Sequence, residues 1–140
     1  MFRHPSRLSR LIVSLGVAAT VALPATALAA PRPAVHAQTL SLVATAYSAS
    51  LKDNYPYGAT DAFGKPLKAG DVAVDPRVIP LGTHLCVSGY HSPYLPAGGF
   101  CGVARDTGGA IKGQRIDIFI NRSQSQVDSF GIQRVKVTIG

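Results

Sequence analysis

The sequence predicts a mainly β fold, a small six-stranded β-barrel with one short helix. Three observations support this prediction. The 140-residue chain leaves about 110 residues for a single small domain once an N-terminal export segment is set aside. Its β-branched and apolar residues fall in six short runs separated by Gly and Pro, and one stretch alone has helical character. So many short strands in so few residues favour a barrel.

The first thirty residues have the pattern of a cleaved secretory signal peptide. They begin with three basic residues, Arg3, Arg7 and Arg10. An uncharged apolar run at 11–23 follows, and small residues at A-x-A spacing predict cleavage after Ala29 or Ala30. The run is too short to span a bilayer as a mature helix. We therefore expect an exported protein, periplasmic or extracellular, without stable membrane insertion after cleavage.

The mature chain is predicted to be a flexible lead at 31–38 followed by one domain at 39–140. Removing three of the fourteen Lys and Arg residues with the signal peptide lowers the formal net charge from +7 to +4. A moderately basic exported domain suits anionic cell-wall polymers as well as nucleic acid. The export signal favours the wall, so no nucleic-acid partner is predicted. A charge that only keeps the protein soluble stays an open alternative.

The strands follow in order, at 39–47, 71–75, 83–87, 102–106, 115–120 and 135–139. The first is the longest and is rich in β-branched and apolar residues. The next three are short runs between Gly and Pro, and the sixth ends the chain. The helix is predicted at 123–130, with Asn121 or Ser123 as its N-cap.

The fifth strand alternates cleanly. Three isoleucines lie on one face, Ile116, Ile118 and Ile120. Arg115, Asp117 and Phe119 lie on the other, because strand side chains alternate with period two. If the isoleucines fill the core, Asp117 points away from it, toward solvent or a groove. Mid-strand Asp is disfavoured, so a functional reason is expected for it.

All seven acidic residues are Asp, so any carboxyl chemistry must be done by an aspartate. The triplet Asp106-Thr107-Gly108 matches the active-site turn of aspartic proteases. Those enzymes need two copies that share one proton, and this chain has one. The protease interpretation therefore requires a homodimer, and the sequence leaves the oligomeric state open.

Cys86 and Cys101 are the chain's two cysteines, and in an exported protein such a pair predicts a disulfide. A bridge across the intervening turn-rich loop would stabilise the fold by roughly 3 kcal/mol. A catalytic thiol is the less favoured alternative. The histidines at positions 36, 84 and 91 lack paired metal-ligand spacing, so neither a metal nor a cofactor is predicted.

Five motifs carry a resemblance to a known family. They are ATAY at 44–47, GAT at 58–60, GDVAVDPRVIPLGT at 70–83, DTGGAIKG at 106–113 and RIDIF at 115–119. Their order and spacing over 39–140 resemble the 3D domain, named for three aspartates. MltA-type lytic transglycosylases and small stand-alone muralytic proteins share this domain. The Cys86 to Cys101 loop is longer than the family's short turn, and the additional domain of the larger enzymes is missing here.

The resemblance implies a double-psi β-barrel and a peptidoglycan substrate. Asp75, Asp106 and Asp117 match the three family aspartates, and Asp117 matches the catalytic acid/base. The implied activity is that of a lytic transglycosylase, which cleaves the MurNAc–GlcNAc bond and leaves a 1,6-anhydro product. One carboxyl acts first as acid and then as base. A hydrolase with Asp106 as second carboxylate stays open, and so does a non-catalytic peptidoglycan-binding or wall-loosening module.

An acid in this reaction must hold a proton that an ordinary Asp, with a pKa near 3.9, has lost at neutral pH. Burial beside Phe119, or the charge of Asp106, would raise the pKa of Asp117, whereas Arg115 or Arg105 would lower it. The predicted substrate-binding residues are Thr45, Tyr47, Asp75, Gly108, Gly109 and Lys112. Thr45 would bond and Tyr47 would stack on sugar. The glycines, with Gly113, would adopt positive φ and approach the ligand closely. Each also has a structural alternative: Asp75 and Asp106 as turn braces, the glycines as plain turn residues.

Overall fold

A computed structural model describes residues 37–140, which form six strands and two short helices. The strands are β1 (Gln38–Tyr47), β2 (Asp71–Val74), β3 (His84–Ser88), β4 (Phe100–Asp106), β5 (Arg115–Phe119) and β6 (Gln133–Ile139). The helices are α1 (Leu51–Asn54) and α2 (Gln124–Asp128). The predicted signal peptide and residues 31–36 of the lead lie outside the described residues.

The strands close into a barrel in the order β1-β5-β2-β4-β3-β6. Two pairs are parallel, β1 with β5 and β2 with β4, and the other four are antiparallel. The mainly β class and the six-stranded barrel are confirmed. Helix α2 lies inside the predicted helical stretch and follows Ser123 as its N-cap. Helix α1 was not predicted, because four mostly exposed residues leave no periodic pattern.

The barrel interior is filled by the inward-facing residues of its strands. Ile116 and Ile118 of β5 are fully buried, as predicted, and Ile120 just beyond it is 3% exposed. They pack with the alternate residues of other strands of the barrel, Leu42, Ala44, Val72, Val74, Leu85, Val87, Val135 and Val137. Val127 of α2 joins the same cluster. Burial of this kind contributes about 1.5–3 kcal/mol for each large aliphatic side chain.

A second, smaller cluster lies on the outer face of β1, β5 and β2. It joins Tyr47, Ala73 and Phe119 to Ile111 of the loop before β5, and Leu67 packs against it. The rings of Tyr47 and Phe119 lie 5.6 Å apart between centroids. Loop residues thus cover this outer face, which is the face to which Asp117 belongs.

One close backbone approach fixes how β4 runs beside the segment that enters β2. A Cβ at Gly102 would stand 2.0 Å from the carbonyl oxygen of Gly70. The same carbonyl accepts a hydrogen bond of 2.9 Å from the backbone N–H of Val103. Only glycine fits at position 102, and β4 therefore runs close beside the segment that enters β2.

The predicted disulfide is confirmed. Cys86 and Cys101 are cross-strand partners in β3 and β4, and they are bonded. The loop that they close is held from within, since the Tyr90 hydroxyl donates a hydrogen bond of 2.6 Å to the carbonyl oxygen of Pro96. The disulfide lies at the opposite end of β4 from Asp106 and stabilises the barrel there. Within 37–140, no helix is long and apolar enough to cross a bilayer.

Candidate active site

Four outward-facing side chains form one row across four adjacent strands. In the register, Thr45 of β1 is paired with Asp117 of β5, and Asp117 is paired with Ala73 of β2. Ala73 is in turn paired with Asp106 of β4, next to a register shift. Directly paired residues share a face of the sheet. Strand pairing alone therefore brings the two predicted catalytic aspartates to the same side of the barrel.

Asp117 is half-buried, and its carboxyl is oriented by one hydrogen bond. The Thr45 hydroxyl donates to Oδ1 at 2.8 Å. Burial raises the pKa of Asp117 to about 6, with further increases from the negative charges of Asp53 and Asp106. The Thr45 hydrogen bond and the Arg115 charge act in the opposite direction. Desolvation is the larger effect, because a carboxylate deprived of water is less stable than the neutral acid.

Asp106 is held on both oxygens. The Tyr47 hydroxyl donates to Oδ2 at 2.9 Å, and the backbone N–H of Thr107 donates to Oδ1 at 2.9 Å. Burial raises the pKa of Asp106, and these hydrogen bonds partly offset the increase. Burial and the Asp106 carboxyl raise the pKa of Tyr47 far above its usual value. Both local donors bind Asp106 firmly in place.

The structure corrects the stacking role predicted for Tyr47. Its ring is 5% exposed and packs against Phe119 inside the outer cluster, so no ring face is accessible to a sugar. The most exposed rings at this side of the molecule are Tyr55 and Tyr57, 82% and 80% accessible. Sequence reasoning missed them because they lie in a loop without periodicity. The signal that would have found them is the pair of aromatics flanking Pro56.

A cleft opens beside Asp106. It consists of two adjoining cavities of about 430 Å³ and 160 Å³, which share Tyr57, Thr60, Asp106 and Thr107 as lining residues. The smaller is also lined by Asp53, Asn54, Tyr55, Gly108 and Gly109. Asp117 does not line either cavity. It lies on β5, two strands away from Asp106 on β4. It is close enough to Asp53 for the charge of Asp53 to raise its pKa.

One wall of the cleft is braced by an ion pair that the sequence did not reveal. Asp61 Oδ2 accepts a hydrogen bond of 2.8 Å from Arg105 Nε, and Asp61 Oδ1 accepts from the backbone N–H groups of Phe63 and Lys65. Burial acts to raise the pKa of Asp61, yet these hydrogen bonds leave it below its ordinary value. The Arg105 guanidinium also lies 5.0 Å from the centroid of the Phe63 ring. The loop before β2 is thereby tied to β4.

Asp75 clamps the loop before β5 to the end of β2. Its Oδ2 accepts from the backbone N–H of Gly113 at 2.8 Å and from Arg77 Nη2 at 2.7 Å. These bonds hold the pKa of Asp75 well below its usual range, with the Arg77 hydrogen bond as the largest cause. The carboxylate is 2% exposed and fully engaged. The geometry favours the turn-brace alternative for Asp75.

The glycine-rich loop at 107–114 differs in detail from the prediction. Of its glycines, Gly113 alone has a positive φ, 64°. Gly108 has little room for a side chain for another reason, because a Cβ there would stand 2.9 Å from Ile111 Cγ1 and the Ile111 side chain would have to shift. Gly109 has open space around its Cα, and Lys112 is exposed. The loop thus seals the outer cluster and presents Gly108 and Gly109 to the smaller cavity.

The predicted site residues therefore fall into three places. Thr45, Tyr47, Asp106 and Asp117 lie together on the outer face, with Gly108 and Gly109 at the cleft. Asp75 lies where the loop at 107–114 meets the end of β2, and Lys112 lies on the exposed surface of that loop. Within residues 37–140, no group of three His, Cys, Asp or Glu side chains is arranged to hold a metal ion.

The family model of the 3D domain matches residues 71–140, half of the chain. The chain belongs to the 3D domain family. The matched part of the 3D domain runs from β2 to β6 and contains the three aspartates at positions 75, 106 and 117. Strand β1, with Thr45 and Tyr47, precedes the matched part.

Two curated relatives come from Bacillus subtilis strain 168. "Cell wall-binding protein YocH" is 39% identical over 103 residues, which are 71% of this chain and 32% of the relative. "Putative cell wall shaping protein YabE" is 38% identical over 106 residues, 73% of this chain and 23% of the relative. The 3D domain chain thus spans about a third or less of the length of these proteins.

Among solved structures, two of the lytic transglycosylase MltA from Escherichia coli are similar. A crystal structure of the enzyme is 28% identical, with a TM-score of 0.49 over 57% of this chain and 26% of MltA. A second, with bound chitohexaose, is 27% identical, with the same TM-score and the same coverage.

Proposed function

We propose that this 3D domain protein is a peptidoglycan-cleaving enzyme of the lytic transglycosylase type, with Asp117 as its acid/base. The observation that carries the proposal is a half-buried carboxyl, with a pKa of about 6, on a barrel face beside an open cleft. Family membership and the cell-wall names of the two relatives support the choice of substrate. The protein would act on glycan strands outside the cytoplasm, in the periplasm or beyond the cell, and the reaction needs no cofactor.

The proposed reaction uses a single carboxyl twice. Thr45 occupies Oδ1 of Asp117, so Oδ2 carries the proton and donates it to the glycosidic oxygen as the C1–O bond of MurNAc breaks. The resulting carboxylate removes the proton from the 6-hydroxyl of the same MurNAc. The 6-oxygen then bonds to C1, which gives a 1,6-anhydro ring and regenerates the protonated acid. No water is consumed.

The environment of Asp106 disfavours hydrolysis by the retaining mechanism. A retaining hydrolase needs a second carboxylate about 5–5.5 Å from the first, free to attack carbon. Asp106 and Asp117 flank Ala73 on either side, so their backbones are separated by two strand spacings, roughly 9–10 Å. Both oxygens of Asp106 are already engaged by Tyr47 and Thr107. Asp106 therefore raises the pKa of Asp117 through its charge and orders the start of the loop at 107–114.

Substrate is proposed to lie along the cleft, with sugar rings against Tyr55 and Tyr57. Exposed aromatic rings bind the apolar faces of pyranoses through a large contact area at low cost in side-chain entropy. The Arg105–Asp61 pair keeps the wall in place, and Gly108 and Gly109 allow close approach of the loop backbone.

A second candidate function is a peptidoglycan-binding module without turnover. The printed name of YocH, a cell wall-binding protein, favours it. The exposed aromatics serve binding and cleavage equally, whereas the raised pKa of Asp117 has a use in cleavage alone.

The test digests purified sacculi with wild type and with Asp117→Asn, followed by mass spectrometry of the soluble products. Asp128→Asn, an exposed aspartate on α2, is the matched control. We expect 1,6-anhydromuramyl products from wild type and control and none from Asp117→Asn. Reducing-end products would indicate hydrolysis, and equal products from both aspartate variants would remove Asp117 from its role. Sacculi that stay intact but retain the protein would establish the binding module instead.

A further inference from the structure

Arg115 is a half-buried cation on the same face of β5 as Asp117. The two residues are separated by two positions, about 7 Å along an extended strand. The guanidinium is close enough for its charge to lower the pKa of Asp117. Its Nε is buried and has no hydrogen-bond acceptor among residues 37–140.

Two other arginines near this face are engaged by carboxylates. Arg77 binds Asp75, and Arg105 binds Asp61. None of the four ion pairs formed by the described part of the chain includes Arg115. The β2–β5 register, continued one step beyond Val74 and Ile116, would place Asp75 opposite Arg115. Asp75 is saturated instead by Arg77 and Gly113.

This arrangement disfavours a purely structural role for Arg115. A buried N–H donor without an acceptor destabilises the folded state, and a half-buried guanidinium without an anion adds to that cost. Apolar or neutral residues would fit an outer strand position at lower cost. A guanidinium presents a planar set of donors that matches a carboxylate with two parallel hydrogen bonds.

We propose that Arg115 binds a carboxylate carried by the muramyl residue of the glycan and so selects muramyl-containing strands over neutral ones. This inference rests on the proposed function and deepens it. The carboxylate belongs either to the lactyl group of a bare muramyl residue or to a peptide attached there. Either carboxylate extends from the muramyl sugar whose C1–O bond would be cleaved at Asp117. Arg115 lies on the same face of β5 as Asp117 and is therefore placed to bind it.

Binding is measured in an Asp117→Asn background, so that no strand is consumed. Four ligands are compared: peptide-free glycan strands, the same strands with the lactyl carboxyl reduced to an alcohol, peptide-bearing strands, and neutral chitooligosaccharide. Arg115→Gln removes the cation, and Arg115→Lys keeps the charge but loses the paired hydrogen bonds. Arg134→Gln, an exposed arginine on β6, is the control for net charge. Melting temperatures establish that each variant is folded.

We expect Arg115→Gln to weaken binding of a carboxylate-bearing strand about tenfold or more, in line with a charged hydrogen bond. Arg115→Lys should lose less, and Arg134→Gln should stay within about twofold of the background, as is usual for an exposed charge. Reduced strands and chitooligosaccharide should bind all four proteins alike. The strand that shows the loss, bare or peptide-bearing, identifies the carboxylate. If the Arg115→Gln protein is folded but loses affinity equally for carboxylate-bearing and neutral strands, the proposal is wrong.

Two further outcomes separate this proposal from the function on which it rests. Strand binding that is unaffected by either Arg115 variant contradicts the role of Arg115 and leaves the proposed function standing. A background protein that binds none of the four ligands contradicts both. If Arg115→Gln fails to fold, Arg115→Lys decides: binding of carboxylate strands equal to the background would overturn the proposal.

Discussion

Asp117→Asn should stabilise the protein at neutral and alkaline pH. The pKa of the folded carboxyl is about 6, above the ordinary value of 3.8 that holds in the unfolded chain. The folded state binds this proton more tightly, so the contribution of this one carboxyl to wild-type stability is fully present below pH 4 and is lost as the pH rises through 6. At 1.36 kcal/mol per pKa unit, the loss is about 2–3 kcal/mol at pH 8. An amide keeps the acceptor for Thr45 and carries no charge, so the variant avoids the loss.

Urea unfolding at pH 4 and pH 8 measures this difference. We expect wild type and Asp117→Asn to differ little at pH 4, and the variant to be more stable at pH 8, with a melting temperature higher by roughly 10 °C. Asp128→Asn is a control of opposite sign, because hydrogen bonding by Gln124 holds the pKa of Asp128 below its usual value. An equal effect of Asp117→Asn at both pH values, or none at pH 8, would refute the reasoning.

Three further predictions follow from other contacts. Tyr47→Phe removes a hydrogen bond to buried Asp106 and should cost about 1–3 kcal/mol of unfolding free energy; an unchanged urea midpoint would contradict this. Tyr57→Ala should weaken glycan binding several-fold in pull-down assays, whereas Ile132→Ala, at a residue of similar exposure, should not; equal binding by both variants would exclude stacking. Reduction of the Cys86 disulfide should lower stability by about 3 kcal/mol, since it releases a 15-residue loop; a melting temperature insensitive to reductant would count against that bridge.

The strands were accessible to sequence reasoning because they rest on short-range patterns, whereas the site residues were assigned through the resemblance to the 3D domain. The alternation of Ile116 and Ile118 with Asp117 fixes which face each side chain takes, whatever the rest of the fold does. The pairing of Cys86 with Cys101 was expected from the predicted export signal and the even number of cysteines. The structure reproduces both the burial of the two isoleucines and the disulfide.

The properties that depend on which loops cover the outer face of the barrel could not be predicted. Tyr47 lies on an outer strand face, where exposure is the usual outcome, and it is buried because Ile111 and Leu67 reach over it from distant loops. Whether burial or Arg115 dominates the pKa of Asp117 depends on the same coverage. The cleft aromatics and the Arg105 ion pair likewise belong to loops whose paths no periodicity encodes.

The central claim is that Asp117 keeps its proton close to neutral pH. A pH titration of the side-chain carboxyl carbons by NMR, with Asp117→Asn to assign the signal, measures this directly. We expect an apparent pKa of about 6 for Asp117. A carboxyl that titrates at or below pH 4 would leave the site without an acid able to protonate a glycosidic oxygen.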